Sequence, residues 1–201
     1  MSKVLLITSS PRSESFSTRV ATALAQKLTG QDPSKLTVRD VHAESLPHVD
    51  DNFATGRVLP PEKLNPAQRA ALARSDVLLK ELLDADVIVI AAAMINFGIP
   101  SSLKAYIDHI VRPGIAFRYS EKGPEGLVKG KKVYLVVARG GVYSEGPAQP
   151  LNHQDTYLRT VLGFIGVTDV EVIAVEGVAF GPEATEKALA AALAKVGEVA
   201  T

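Results

Sequence analysis

Three short stretches of this chain carry side chains and turns from which chemistry could be built. Ser9-Ser10-Pro11-Arg12 is followed closely by Ser15-Phe16-Ser17, a cluster of hydroxyls with one guanidinium. Met94-Ile95-Asn96-Phe97-Gly98 continues neither a strand pattern nor a helix pattern, and Ala138-Arg139-Gly140-Gly141 ends an apolar run on paired glycines. A hydroxyl-rich loop that opens a helix suits a phosphate, because the first helical N–H groups lack partners and the dipole end is positive. Ser10, Ser15 and Ser17 add donors there and Arg12 adds charge. Hydrogen bonds to a charged group contribute roughly 1.5–3 kcal/mol each, so a handful supplies much of the ~12 kcal/mol that nanomolar binding needs. Gly140 and Gly141 let a flat ring approach the backbone, while Met94 to Phe97 offer amides and an apolar wall. Each stretch alone also has a plainer reading: a serine cap, a turn, residues that fill a core. Side by side, they suit a cofactor with a single phosphate and a flat ring.

The elements that must hold these loops are legible as periodic patterns. Val4 to Ile7, Val87 to Ala93 and Val133 to Ala138 are continuous apolar runs, the mark of strands buried on both faces of a parallel sheet. Leu36 to Val41 alternates, as an edge strand does, and Asp169 to Val175 is the last strand. Between them lie helical patterns: Val20, Leu24 and Leu28, ending near Gly30; Leu72, Leu79, Leu82 and Leu83 behind an Asn65-Pro66-Ala67-Gln68 start; Leu103, Tyr106, Ile107, Ile110 and Val111, with Pro100 in the first turn; Leu158, Val161, Leu162 and Ile165 in a helix from Leu151; and Leu189, Ala192, Leu193 and Val196. Asp108 and His109 fall on the outer face of the third of these helices. Ile115, Phe117 and Tyr119 alternate before the turn-rich Lys122 to Gly126, a short β excursion outside the main sheet. This alternation predicts an α/β fold: a doubly wound five-stranded parallel sheet of order 2-1-3-4-5 with helices on both faces, and residues 1–201 as one domain. The three chemical loops then share the carboxyl edge of the sheet, where ligands bind in such folds.

Composition narrows the classes. With 22 basic and 22 acidic residues, nothing points to nucleic acid or a membrane surface as a partner. Absence of cysteine rules out disulfides, thiolate metal sites and cysteine nucleophiles, and the four histidines show no ligand spacing. The first apolar run is too short for a signal segment, so a cytoplasmic protein is expected. No GxGxxG follows the first strand and no GxxxxGK[ST] occurs, which argues against dinucleotide-binding of the Rossmann type and against nucleotide triphosphatases.

Ser9-Ser10-Pro11-Arg12 with Ser15-Phe16-Ser17 resembles the phosphate loop of the FMN-dependent NADH azoreductase and quinone reductase family. Ala93-Met94-Ile95-Asn96-Phe97 is similar to its flavin loop, and Ala138-Arg139-Gly140-Gly141 to its serine-arginine-glycine-glycine loop. Phe117-Arg118-Tyr119, Gly123 to Leu127 and Leu162 to Gly166 are similar too, so the resemblance spans nearly the whole chain. It implies a flavodoxin-like homodimer with one FMN per subunit near the interface, NADH as donor, and two-electron reduction of quinones and reductive cleavage of azo bonds. It implies cofactor contacts from Ser10, Ser15, Phe16, Ser17, Met94, Ile95, Asn96, Phe97, Ala138, Arg139, Gly140 and Gly141, with no catalytic side chain, since the flavin is the reactive group. Phe117, Tyr119, Phe164 and Tyr143 are the expected substrate contacts, some from the partner subunit, and donor and acceptor using one flavin face in turn implies ping-pong kinetics. Ala93 replaces the family's proline, Ile95 its aromatic residue and Ala138 its serine, which leaves a flatter wall with fewer π faces and one hydroxyl fewer. The rival from another class is a flavodoxin-type electron carrier, against which the zero net charge speaks, since such carriers dock through an acidic face.

Overall fold

Side chains on the first strand point alternately to opposite faces, and each set joins a different apolar cluster. Leu5 and Ile7 pack with Ile88, Ile90, Leu135 and Val137, whereas Val4 and Leu6 pack with Val87, Val89, Tyr134 and Val136. A sheet apolar on both faces needs cover on both, and the helices supply it. The computed structural model describes residues 2–200. In chain order its elements are β1 (Val4–Thr8), α1 (Phe16–Thr29), β2 (Leu36–Asp40), α2 (Asp51–Gly56), α3 (Pro66–Asp84), β3 (Val87–Ala93), α4 (Ser101–Ile110), β4 (Phe117–Ser120), β5 (Gly123–Gly126), β6 (Lys132–Ala138), α5 (Asp155–Ile165), β7 (Asp169–Val175) and α6 (Pro182–Glu198). The main sheet runs β2-β1-β3-β6-β7 with every pair parallel, which is order 2-1-3-4-5 when only its own strands are counted. Helices α1 and α6 bury Val20, Leu24, Leu28, Ala192 and Val196 on one face, and α3, α4 and α5 bury Leu78, Leu82, Leu103, Leu158 and Ile165 on the other.

Local signals hold at most of the ends. Gly30 closes α1 in the left-handed region at φ 62°, and Asn65 with Gln68 forms a capping box at the start of α3. Strands β4 and β5 pair antiparallel outside the main sheet, as the alternation around Phe117 implies. Four expectations need correction. Pro100 is the cap residue of α4 and not its first helical residue. Leu83 is exposed, and Leu78 takes its place on the buried face of α3. The helix expected from Leu151 begins at Asp155, because Gln149–Leu151 forms a separate 3-10 turn and Gln154 is drawn into the interior. His109 is buried, not on an outer face: its Nε2 lies 2.9 Å from the Pro47 carbonyl, and its ring meets the edge of Phe53 at 4.9 Å. The proline-rich span before α3, which contains α2, covers α4 at that point and turns a surface position into an interior one.

Candidate active site

Because β1, β3 and β6 are adjacent and parallel, the chain leaves all three at the same edge of the sheet. Their loops meet in one cleft of about 380 Å³, lined by Ser10, Arg12, Glu14, Ser15, Phe16, Ala93, Met94, Ile95, Ala138, Arg139 and Gly140, with Val178 and Ala179 from a fourth loop after β7. Of the residues expected at the cofactor, Ser10, Ser15, Phe16, Met94, Ile95, Ala138, Arg139 and Gly140 line this cleft, while Ser17, Asn96, Phe97 and Gly141 belong to the same loops without lining it, and the fourth loop joins them. A more open groove of about 510 Å³ lies between α4 and α5, behind Gly98; its Lys104 is already paired with Asp108.

One end of the cleft is the start of α1. Ser15 is the N-cap, in extended backbone, and its Oγ accepts from the Thr18 N–H at 3.3 Å. It also lies 3.1 Å from Oγ of Ser17, which is fully buried. The plain cap reading of Ser15 is therefore correct, and it leaves the N–H groups of Phe16 and Ser17 as open donors at the positive end of the helix dipole. Ser9 Oγ donates to the Ala91 carbonyl at 2.8 Å, and the Arg12 N–H donates to Ser10 Oγ at 3.2 Å, so the loop between β1 and α1 is fastened while the Arg12 side chain stays exposed.

The other end is built from backbone. The Met94 N–H donates to the Ala138 carbonyl at 2.8 Å, tying the loops after β3 and β6 together. Ile95 and Gly98 exchange two hydrogen bonds of 3.0 Å, closing a two-residue turn in which Asn96 (φ 47°) and Phe97 (φ 70°) both sit in the left-handed region. In the glycine loop the carbonyls of Arg139, Gly140 and Gly141 accept from the N–H groups of Val178 (3.3 Å), Ala179 (3.0 Å) and Gly177 (3.0 Å). Among the described residues no backbone carbonyl accepts from the N–H groups of Asn96, Phe97, Gly140 or Gly141. A Cβ on Gly141 would stand 3.2 Å from the Tyr143 ring. Tyr143 meets Phe97 edge-on at 6.2 Å, so it belongs to this rim.

Arg139 contributes to the cleft through its main chain. Its side chain is buried: Nε donates to Gln154 at 2.9 Å, Nη1 to Glu176 at 2.8 Å, and Nη2 pairs with Asp155. Burial pushes the Glu176 carboxyl up, but hydrogen bonds from Ser144, Arg139 and the Tyr143 N–H outweigh it and hold the group below its ordinary range. Gln154 continues the chain of contacts by donating to the Ala92 carbonyl at 3.0 Å. Gln154, Asp155, Glu176 and the Gly177–Phe180 loop are what the sequence reading missed. Nothing local in the sequence signals them, since the burial of Arg139, which calls for anionic partners, shows only in the fold.

The expected substrate contacts divide. Phe117, Tyr119 and Phe164 form one aromatic cluster, with Phe117 centred 4.6 Å from Phe164 and 5.5 Å from Tyr119. The hairpin that carries Phe117 and Tyr119 is fastened to the last turn of α5, where the Val128 N–H donates to the Ile165 carbonyl at 2.8 Å. That is the amino edge of the sheet, opposite the cleft, so within one chain these three aromatics do not reach it.

A fold with five parallel strands in this order and a ligand cleft at the carboxyl edge defines a flavodoxin-like protein. The profile described as "Flavodoxin-like fold" matches residues 2–200, and the chain belongs to that family. Within it, the chain is 56% identical over 202 residues to FMN-dependent NADH:quinone oxidoreductase 1 of Rhizobium etli, covering 100% of this chain and 98% of the relative. It is 54% identical over 201 residues to the FMN-dependent NADH:quinone oxidoreductase of Rhizobium johnstonii, with coverage of 100% and 98%. Among solved structures, the azoreductase of Bacillus anthracis strain Sterne superposes with a TM-score of 0.88 at 31% identity, over 98% of both chains.

Proposed function

We propose that this chain is an FMN-dependent oxidoreductase that takes electrons from NADH, reduces quinones by two electrons and cleaves aromatic azo bonds to amines. The observation that carries this reading is the single cleft in which a helix N-terminus and two backbone-lined loops face the same space. The residues fit FMN. The cleft-lining Ser10, Ser15 and Phe16, with Ser17 behind them at the start of α1, suit its phosphate, and Met94, Ile95 and Gly140, with the unpaired N–H groups of Asn96, Phe97 and Gly141 in the same loops, suit its ring. When bound, FMN accepts hydride from NADH and passes it to the acceptor, chemistry that no side chain here supplies.

The chain's own part is placement and electrostatics. Unpaired N–H groups at Asn96, Phe97 and Gly141 favour negative charge at the ring edge beside them, which stabilises the reduced state. Met94, Ile95 and Ala138 leave the wall apolar and low, so donor and acceptor occupy the same open face in turn, and kinetics are ping-pong. Phe117, Tyr119 and Phe164 act from the partner subunit of a cytoplasmic homodimer, since they lie across the sheet from their own cleft. Residues 1–201 form one FMN-binding domain.

The test begins with a visible spectrum of purified protein after incubation with FMN. Retained yellow colour, anaerobic bleaching by NADH within turnover time and recovery on adding a benzoquinone are expected. A protein that stays colourless overturns the reading; bound flavin that NADH does not bleach makes it an electron carrier.

A further inference from the structure

Glu176 lies one residue beyond β7 and does not line the cleft, yet three groups of the loop after β6 converge on it. Arg139 Nη1 (2.8 Å) and the Tyr143 N–H (2.9 Å) both donate to its Oε1, and Ser144 Oγ donates to Oε2. These contacts bracket the Gly140-Gly141 turn on both sides. The next residues of the same loop, Gly177 to Ala179, bind the carbonyls of Arg139, Gly140 and Gly141. With those carbonyls drawn toward β7, the N–H groups of the turn take no backbone carbonyl as partner, and Gly140 lines the cleft. The turn has little stiffness of its own, because glycine backbone is the most mobile of any residue.

We infer that Glu176 is a positioning residue: it clamps the Arg139–Ser144 loop against β7 and so aims the Gly140 and Gly141 N–H groups at the flavin ring. This rests on the FMN reading above. It assigns Arg139 a role through its side chain that differs from direct contact with the cofactor, since a guanidinium buried between Asp155 and Glu176 orients the loop from behind. Preorganised donors lose their value when the shell that supports them is loose.

The experiment compares Glu176→Ala, Glu176→Gln and wild type by FMN titration of flavin-free protein and by amide hydrogen exchange of the same flavin-free samples. Glutamine keeps both oxygen-type contacts to Arg139 and Tyr143, so Glu176→Gln should hold FMN within threefold of wild type. Glu176→Ala should weaken FMN about tenfold and speed exchange in peptides covering 139–144, with β1 and α1 unchanged. An FMN affinity within threefold of wild type in Glu176→Ala, equal loss in both variants, or faster exchange spread across the whole sheet would overturn the clamp. Should Glu176→Ala not fold, Ser144→Ala removes one contact from the solvent side; unchanged exchange over 139–144 in that variant overturns the inference equally. If wild type itself fails to bind FMN, the functional reading falls, while the exchange comparison still decides whether the clamp exists.

Discussion

Ser17 is fully buried, with its hydroxyl beside Ser15 and its N–H at the open end of α1. A carboxylate placed there would share the niche with a dianionic phosphate, and like charges at that spacing repel. Ser17→Asp is therefore expected to lose at least tenfold in FMN affinity, read as the flavin-to-protein absorbance ratio after gel filtration; unchanged flavin content would refute the phosphate site. Tyr106 poses a different residue-scale question, because its buried hydroxyl has no hydrogen-bond partner among the described residues. Burial, with Glu81 nearby and only partly offset by Arg39, raises its pKa above the ordinary 10.0. A raised folded-state pKa means that stability is complete below pH 10 and is lost as pH climbs above it, where the unfolded chain ionises first. Tyr106→Phe should be neutral or stabilising by up to about 1 kcal/mol at pH 7, with a shallower fall in melting temperature above pH 10. At this scale the sequence was most readable where backbone requirements choose the residue, as at Gly30, which closes α1 with a positive φ, and the serine cap. It misled at His109, whose partners Pro47 and Phe53 are some sixty residues upstream in the chain and give no local sign.

At the scale of elements, the pattern located every strand of the main sheet: β1, β3 and β6 as short apolar runs bounded by turns, and the edge strand β2 by its alternation. It misplaced the start of α5. Leu151 fits the helical spacing, but Gln154 is held by Ala92 and Arg139, and those tertiary bonds break the helix before Asp155. The fourth loop was invisible for a related reason: Val178 and Ala179 act through backbone N–H groups, which any residue but proline carries. The contact of the β4–β5 hairpin with α5 was also hidden, and it is tight. A Cβ on Gly126 would stand 2.1 Å from the Gly166 nitrogen, and Gly166 itself has φ 106°. Backbone cannot yield as a side-chain tip can, so Gly126→Ala should lower unfolding free energy by about 3 kcal/mol. Denaturant unfolding monitored by circular dichroism measures it, and a change below about 0.5 kcal/mol would mean the hairpin docks elsewhere.

For the whole molecule, the separation of the two edges of the sheet has a kinetic outcome. If Phe117, Tyr119 and Phe164 serve a cleft they cannot reach within their own chain, a lone subunit holds flavin without a complete substrate site. Turnover per subunit should then fall on dilution through the dimer dissociation range while flavin content stays constant, measured by stopped-flow activity alongside sedimentation. Constant specific activity across that range would restrict those aromatics to packing. Among the described residues no helix is long and apolar enough to cross a membrane.

The turn that Ile95 and Gly98 close also sets heat resistance against output. Two consecutive positive φ values call for asparagine and glycine, and the chain has asparagine and phenylalanine. An L residue with a bulky side chain sits there at a disadvantage of about 1–2 kcal/mol. Phe97→Gly should thus give a hardier protein that melts later, by roughly 2–8 °C for a chain of this size, and, on the proposed function, a poorer quinone reductase, because the aromatic face that meets Tyr143 is gone. Selection for thermal endurance alone would be expected to find this exchange early, and to give up part of the turnover in doing so.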